Sequence, residues 1–138
     1  MRADSALSCV NLGAAIGSEE ELLDRNTIKV VTDRTGKALY FSRVPIPFRG
    51  GRPFSREDWW KQVCVIAFRR AALRAFTSTP QGPLEIAESV DMLRFLENGI
   101  PVQVVPTRTM THAVDTTEDL ELVASLIAGS FATSRRVD

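Results

Sequence analysis

The stretch of sequence that most restricts the possible folds is residues 63–68, which read V-C-V-I-A-F without a charge. Lys61 and Gln62 precede this run, and Arg69 and Arg70 follow it. A continuous apolar run of strand length is typical of a buried strand in a parallel or mixed sheet. Strand and helix patterns alternate through the second half of the chain, so we expect an α/β fold rather than an all-α or all-β one.

Two further patterns have clear local causes. Residues 27–32 and 38–42 flank the turn sequence Asp33-Arg34-Thr35-Gly36, which predicts a β-hairpin. Prolines and glycines then predict an irregular loop over 44–54. Residues 83–97 combine a proline at the first helical position, apolar residues at helical spacing and a closing Asn98-Gly99, which together predict one helix.

The remaining predicted elements rest on shorter signals. They are a strand at 6–12, a helix at 19–24 behind a capping box of Ser18 and Glu21, a helix at 70–76, a strand at 102–105 and a helix at 120–127 that Gly129 ends.

Length and charge bound the domain count and the partners. A chain of 138 residues suits one compact domain, which we expect over 1–129, with a frayed tail over 130–138. Seventeen basic residues balance seventeen acidic ones, so we expect neither nucleic acid nor an anionic membrane as partner. No apolar run approaches the ~20 residues that span a bilayer. Glu19, Glu20 and Glu21 interrupt any apolar signal segment, so we expect a cytoplasmic protein.

Asp115 lies where an apolar strand end meets a helix start. The carboxyl ends of strands are where α/β proteins place ligand groups, and a carboxylate there suits magnesium held together with substrate phosphates. The alternative is a purely local role, in which Thr116 caps the helix with Asp119 and Asp115 is solvated.

Three further charged residues are candidates for binding a small ligand. Glu85 and Glu88 are three residues apart on one helix face, so they suit the hydroxyl groups of a ligand, although a helix N-terminus also favours glutamate. Arg43 ends a strand just before the loop, where a guanidinium suits a carboxylate or phosphate, although exposed strand-end arginines are common.

Several site classes are excluded by composition. His112 is the only histidine, so a zinc site with several histidine ligands cannot form. Neither a G-x-x-x-x-G-K-[ST] loop nor a G-x-G-x-x-G fingerprint is present, so the chain carries no phosphate cradle of its own.

Three motifs in order give the sequence a family resemblance. F-S-R-x-P-I-P at 41–47, P-L-E-x-x-E at 83–88 and V-D-T-x-E-D-L at 114–120 resemble the C-terminal half of the 3-deoxy-manno-octulosonate (Kdo) cytidylyltransferases, or CMP-Kdo synthetases. The strand I-K-V-V-T-D at 28–33 fits the same pattern, and the resemblance covers residues 5–127.

The resemblance implies a Rossmann-like nucleotidyltransferase fold with a mixed sheet, a homodimer, and transfer of CMP from CTP to an acidic sugar with release of pyrophosphate. Asp115 would be one of two aspartates that hold Mg²⁺, Arg43 would face the sugar carboxylate, and Glu85, with Glu88, would bind sugar hydroxyls. The loop at 44–54 would contribute to the dimer contact. The N-terminal nucleotide-binding half of that fold is missing from this sequence, so we expect little activity from the isolated chain.

One departure from the family leaves the substrate open. The family pattern H-x-G-x-Y is here Gln62-Val63-Cys64-Val65-Ile66. Gln62 keeps a donor and an acceptor for the sugar, whereas Ile66 cannot hydrogen-bond. The acid is therefore Kdo, a different acidic sugar or another small acid such as a phosphonate. The alternative from a different class is a non-catalytic dimerisation or ligand-binding module that kept the fold.

Overall fold

The computed structural model describes residues 7–56, 58–108, 114 and 117–134. Internal contacts divide the chain into two compact units, Met1–Arg108 and Thr109–Asp138, where we expected one domain over 1–129. The domain boundaries stay a prediction. In chain order the described elements are β1 (Cys9–Ala15), α1 (Glu19–Leu23), β2 (Lys29–Thr32), β3 (Ala38–Ser42), β4 (Trp60–Phe68), α2 (Arg70–Ser78), α3 (Pro83–Glu88), α4 (Met92–Glu97), β5 (Val102–Pro106) and α5 (Thr117–Ser134).

The strands of the first unit form one mixed sheet in the order β3-β2-β4-β1-β5. β1 is parallel to β5 and antiparallel to β4, while β2 is antiparallel to both β3 and β4. Helix α1 follows β1, three helices (α2 to α4) separate β4 from β5, and α5 follows β5. The predicted α/β class with a mixed sheet is confirmed.

Local sequence signals placed the first helix and the hairpin well. The Ser18 hydroxyl accepts from the Glu21 N–H at 3.1 Å, and α1 begins at Glu19. In the hairpin turn, the Asp33 carboxylate accepts from the N–H groups of Thr35 and Lys37 at 2.7 and 3.0 Å. Gly36 has a φ of 82°, a left-handed conformation that glycine adopts without strain. Both elements depend only on residues a few positions apart.

The central strand β4 differs from its prediction in length and in burial. It begins at Trp60, and within the apolar run only Val63 is buried, while Cys64, Val65 and Ala67 are exposed. The pairing with β1 shifts between Asn11 and Leu12, so β4 bulges where those exposed residues begin. The strand β1 also starts at Cys9 rather than at residue 6. The prediction of a buried strand over 63–68 is therefore wrong for the exposed residues of this run.

The predicted single helix over 83–97 is two helices. Ser89 has φ 52° and ψ 46°, which ends α3 in a left-handed residue, and α4 starts again at Met92. The break turns Val90, Met92 and Leu93 into the core, each at most 2% exposed. The apolar spacing therefore does not mark one continuous buried face, because Leu84 and Ala87 of α3 are exposed whereas Met92 and Leu93 of α4 are buried. Helix α5 likewise runs on to Ser134 instead of ending at Gly129.

The main core joins the sheet to α2 and α4. Phe95 of α4 stacks on Phe68 and Phe76, with ring centroids 5.6 and 5.1 Å apart. Cys9 is fully buried beside them, and burial, with a smaller effect of Asp91, raises the pKa of its thiol to about 11. The thiol therefore stays protonated at neutral pH and serves as a small apolar core group.

A second small core packs Ile16, Leu22 and Trp59 against Phe54. In the part of the chain that the structure describes, no helix has the length and apolarity that crossing a membrane requires.

Candidate functional site

An open cleft of about 500 Å³ lies between β4 and α3. Gln62, Cys64 and Ile66 of β4 form one wall, and Glu85 and Ile86 of α3 belong to the other. Ile28, Gln81, Ser89, Val90 and Asp91 complete the lining. Two of the residues predicted from sequence, Gln62 and Glu85, are thus brought to one site. None of the lining residues is basic.

Glu85 is 3% exposed and its carboxylate is held by Arg94 of α4. The guanidinium donates from Nε to Oε2 and from Nη2 to Oε1, both at 2.6 Å, and Gln81 adds a bond to Oε1 at 3.0 Å. Arg94 holds the pKa of Glu85 below its ordinary value mainly through these hydrogen bonds, and the pair raises the pKa of Arg94. Glu85 is therefore ionised and already paired before any ligand arrives.

Arg94 also connects α4 to the end of α2. Its Nη1 donates to the carbonyls of Phe76 and Thr79 at 3.2 and 3.1 Å, and its guanidinium lies 4.0 Å from the centre of the Phe76 ring. One side chain thus ties three segments together around the base of the cleft.

The N-terminus of α3 is capped by a residue from α4. The two carboxylate oxygens of Glu97 accept from the N–H groups of Leu84 and Glu85 at 2.9 and 3.2 Å. Gly82 precedes the helix, and a side chain there would overlap the Glu97 carboxylate. Because these N–H groups already have an anionic partner, they are not open to a ligand phosphate or carboxylate.

The F-S-R and P-L-E-x-x-E motifs meet in the structure. Glu88 accepts from the Ser42 hydroxyl at 2.9 Å and from the Arg43 N–H at 2.8 Å. In return, the Arg43 guanidinium donates to the carbonyls of Glu88, Ser89 and Arg25 at 2.7, 3.0 and 3.0 Å. These contacts fix the left-handed end of α3 to the end of β3. Neither Arg43 nor Glu88 lines the cleft, so their predicted contacts with a sugar stay predictions.

Gln62 differs from these residues because its side chain is not satisfied. Its backbone N–H donates to the Ile28 carbonyl at 2.8 Å, but its side-chain Oε1 is buried without a hydrogen-bond partner among the described residues. A buried acceptor without a partner costs free energy, so this oxygen is ready to accept from a ligand donor or a water.

The predicted metal ligand, Asp115, lies outside the described residues. Within the described ranges, no group of three histidine, cysteine, aspartate or glutamate residues is arranged to hold a metal ion. The described residues therefore do not form a magnesium site, and the binding of Mg²⁺ stays a prediction.

Sequence reasoning missed three residues that shape the site. Asp91 supplies an exposed carboxylate to the cleft and makes no side-chain capping bond to α4. Arg94 stands between two buried residues, Leu93 and Phe95, and a charge at such a position is a signal that it has a buried partner.

Lys29 is the third residue that the sequence did not reveal. It is 0% exposed and donates to the carbonyls of Asp24 and Arg43 at 2.5 and 3.0 Å. Burial lowers the pKa of its ammonium group. The lysine holds the start of the hairpin against the loop that follows it.

Comparison with known proteins agrees with the motifs. A family model described as "Cytidylyltransferase" matches residues 2–112. The chain is 43% identical to the 3-deoxy-manno-octulosonate cytidylyltransferase of Solibacter usitatus over 115 residues, which are 83% of this chain and 45% of that protein. It is 41% identical to the protein of the same name from Chloroherpeton thalassium, over 91% of this chain and 51% of that protein.

The fold of this chain is also similar to that of a solved structure. A CMP:2-keto-3-deoxy-manno-octonic acid synthetase complexed with CTP superposes with a TM-score of 0.84 and 35% identity, covering 94% of this chain and 53% of that chain. The chain thus spans about half the length of the curated relatives that it matches.

Proposed function

Because the chain belongs to the cytidylyltransferase family, we propose that it is one half of an enzyme that transfers CMP from CTP to an acidic sugar. The sugar is 3-deoxy-manno-octulosonate or a close relative, and the reaction releases pyrophosphate. This chain supplies the part that holds the sugar. The observation that carries the proposal is that Gln62 and Glu85, two positions marked by the family resemblance, line one cleft in which the Gln62 Oε1 acceptor has no partner among the described residues.

The chemistry of the cleft fits the hydroxyl-bearing part of a sugar. Asp91 and the Oε1 atom of Gln62 are acceptors, and sugar hydroxyls are donors. Ile28, Ile66 and Ile86 offer apolar surface to the C–H groups of a sugar ring. Glu85 would accept a hydrogen bond from a sugar hydroxyl on the remaining lone pair of Oε2, while Arg94 keeps the carboxylate in place.

In the proposed reaction, the anomeric hydroxyl oxygen of the sugar attacks the α-phosphorus of CTP. A new phosphorus–oxygen bond forms, the bond to the β-phosphate breaks, pyrophosphate leaves, and the hydroxyl proton goes to solvent. Such a transfer depends on positioning and on stabilisation of phosphate charge. The role of this chain is positioning, because its cleft has no basic residue for the phosphates.

The positive charge that the sugar carboxylate and the phosphates require is proposed to come from groups outside the cleft. Arg43 would reach the sugar carboxylate through the guanidinium N–H groups that its three carbonyl partners leave over. Asp115 would be one of two aspartates for Mg²⁺, with the second in the half that this chain does not span.

A homodimer through the loop at 44–54 belongs to the same proposal and is supported by Phe48, which is 89% exposed there. A cytoplasmic location remains the expectation from the sequence.

The direct test is to incubate the chain with CTP, Kdo and Mg²⁺ and to measure pyrophosphate. We expect little or no release, because the chain has no nucleotide cradle. Rapid turnover would contradict the division of labour proposed here.

The metal role needs a complete enzyme. We suggest extending the chain with the unmatched half of the Solibacter usitatus relative and comparing Asp115→Ala with Asp119→Ala. Asp115→Ala should abolish pyrophosphate release while leaving the unfolding midpoint little changed. Asp119→Ala is the matched control and should keep activity. Unchanged turnover in Asp115→Ala would remove Asp115 from the metal site.

The identity of the acid is tested by calorimetry on the same extended chain. Ile66 lies in the cleft where the family resemblance leads one to expect a tyrosine, which favours an acid with fewer hydroxyl groups than Kdo as the second candidate. Titration with Kdo and with a small phosphonate, each with and without CTP, separates the two. A non-catalytic module would bind neither acid.

A further inference from the structure

Asn11 of β1 is a buried polar residue whose side chain has no partner among the described residues. It is 1% exposed, and both its Nδ2 and its Oδ1 atom lack a hydrogen bond there. Asparagine is depleted in strands, and burial of a carboxamide without partners is unfavourable. The described packing makes no use of this amide, so we expect its partner to come from outside the described residues.

The pairing of β1 with β4 places Asn11 beside the cleft. Its Cα partner is Ile66, and directly opposed residues of an antiparallel pair point to the same face of the sheet. Ile66 lines the cleft, so the Asn11 side chain lies on the cleft face. Cys9, two residues earlier on that face, belongs to the main core. Asn11 therefore lies where the core meets the floor of the cleft.

A second unpartnered amide oxygen lies diagonally across the same pair of strands. Gln62 pairs with Gly13, two residues beyond Asn11, and its side chain also lines the cleft. Diagonal neighbours in an antiparallel pair are about 7–8 Å apart. The amides of Asn11 and Gln62 make no bond to each other through the unpartnered atoms. One oxygen atom of a ligand can therefore lie between them.

The donors and acceptors of the two amides match a hydroxyl group. Asn11 Nδ2 is a donor, whereas Asn11 Oδ1 and Gln62 Oε1 are acceptors. A hydroxyl oxygen can accept from Nδ2 while its proton is donated to one of the two oxygens. A carboxylate or a phosphate dianion only accepts, so it would leave both amide oxygens without a donor.

The residue opposite Asn11 explains why an amide is useful there. The family resemblance leads one to expect a tyrosine at position 66, but Ile66 has no group that can hydrogen-bond. Asn11 is the direct cross-strand neighbour of Ile66. An amide at position 11 therefore supplies hydrogen-bonding groups next to the position that has lost one.

We infer that Asn11 is a specificity-determining residue and that, together with Gln62, it binds one hydroxyl group of the acidic sugar at the floor of the cleft. The hydroxyl accepts from Asn11 Nδ2 and donates to one amide oxygen, and a rotamer change of Ile66 admits it. The inference rests on the proposed function and deepens it, because it selects a hydroxyl-bearing acid over a small phosphonate.

The direct test is to titrate the 138-residue chain with Kdo and to follow the side-chain amide signals by NMR. We expect the Asn11 Nδ2 protons to shift, whereas those of Asn26, an exposed asparagine, should not move. The same titration is made on the two-half enzyme, which is the chain extended with the unmatched half of the Solibacter usitatus relative.

A variant of similar size separates binding from folding. Asn11→Leu removes both polar atoms, so we expect the Kd for Kdo in calorimetry to rise by about tenfold, because the hydroxyl loses its partners. The unfolding midpoint should stay the same or rise, since neither removed atom has a described partner. Asn26→Leu is the matched control on the surface and should leave the Kd unchanged.

Two comparisons make the test specific for one hydroxyl group. Asn11→Leu should leave the affinity for a small phosphonate without hydroxyl groups unchanged. For Kdo, the double variant Asn11→Leu, Gln62→Met should lose less affinity than the product of the two single losses, because both residues hold the same group.

The outcomes separate the alternatives. No binding of Kdo by either protein, or binding that leaves the Asn11 amide signal unchanged, would overturn the inference. An unchanged Kd in Asn11→Leu would overturn it in favour of an amide that holds only an ordered water. A fall of about tenfold or more in the folded-to-unfolded ratio of Asn11→Leu would overturn it in favour of a structural role.

The proposed function fails on a different measurement. If Asn11 responds to Kdo as expected but the two-half enzyme releases no pyrophosphate from CTP and Kdo, the hydroxyl site stands and only the transfer of CMP is rejected. If pyrophosphate is released while the Asn11 signal and the Kd of Asn11→Leu stay unchanged, the transfer stands and the role of Asn11 is rejected.

Discussion

The two walls of the cleft are built in opposite ways. On the α3 wall, Glu85 is satisfied by Arg94 and Gln81, the helix N-terminus is capped by Glu97, and the helix end is held by Arg43. On the β4 wall, the Gln62 Oε1 atom has no hydrogen-bond partner among the described residues, and β2 pairs only with the start of the strand, at Trp60 and Lys61. The motif residues on α3 are therefore engaged in contacts that fix the shape of the cleft, whereas Gln62 on the β4 wall leaves an acceptor available to a ligand.

Removing Arg94 should give the largest effect. Arg94→Ala leaves the buried Glu85 carboxylate with Gln81 as its remaining side-chain partner and releases the carbonyls of Phe76 and Thr79. Breaking a buried pair on one side is strongly destabilising, so we expect the folded-to-unfolded ratio to fall by roughly a hundredfold or more in urea denaturation. Arg74→Ala, an exposed arginine on α2, is the control and should have little effect. Equal effects of the two would mean that the α3 wall is not held by this pair.

Gly82→Ala should have the next largest effect on stability. The added Cβ would overlap the Glu97 carboxylate that caps α3. Because that carboxylate is the end of a flexible side chain, it can move aside, and the cost is the lost cap on the N–H groups of Leu84 and Glu85. We expect a loss of about 0.5–2 kcal/mol in the free energy of unfolding, measured by thermal or urea denaturation. Gly17→Ala is the matched control, because its nearest neighbour would be Glu21 Oε2 at 3.4 Å. A neutral result at Gly82 would show that Glu97 moves without cost.

Acid should weaken the α3 wall through Glu85. Arg94 lowers the pKa of Glu85 in the folded chain, so its ionised form contributes stability that is present above the ordinary value of 4.5 and is lost as pH falls through the folded pKa. Between pH 5 and 3 (roughly), wild type should lose more unfolding free energy than Glu85→Gln, by at most ~1.4 kcal/mol per pH unit for one proton. The pKa of Asp33 is also lowered, but its contribution is common to both proteins and cancels. If the unfolding free energies of wild type and Glu85→Gln change in parallel with pH, the acid sensitivity does not come from Glu85.

Gln62→Met should have the smallest effect on stability. The substitution removes a buried oxygen that has no described partner and keeps the volume of the side chain. We expect the free energy of unfolding to stay within about 1 kcal/mol of wild type, or to rise slightly. In the two-half enzyme, the same substitution should weaken sugar binding in calorimetry. A loss of about 3 kcal/mol or more would show that Gln62 has a structural partner and that the walls are alike.

Prediction from the sequence worked best where the cause was local. The hairpin turn and the start of α1 depend on side-chain bonds that reach two to four residues along the chain. The prediction of one helix over 83–97 was wrong because apolar spacing carries no information about the left-handed conformation of Ser89. That break is held by Arg43, which is 45 residues away from Glu88 in the chain.

For the site, the sequence identified Gln62 and Glu85 but not their surroundings. The family motifs marked both, and the structure places both in the cleft. The partner of Glu85 is nine residues further on, across the break between two helices, where helical spacing gives no contact. The exposure of Val65 was missed because an apolar run looks the same whether or not another layer covers it.

Periodicity, turn signals and motif order depend only on the order of residues, so they were enough to predict the α/β class, the family and the side chains that could bind a ligand. The tertiary structure decided which of those residues are engaged. Arg43, Glu85 and Glu88 are held by contacts between distant segments, whereas the Gln62 side-chain oxygen has no partner among the described residues. The physical reason is that satisfaction of a buried polar group depends on what packs against it in space, and sequence spacing does not specify those contacts.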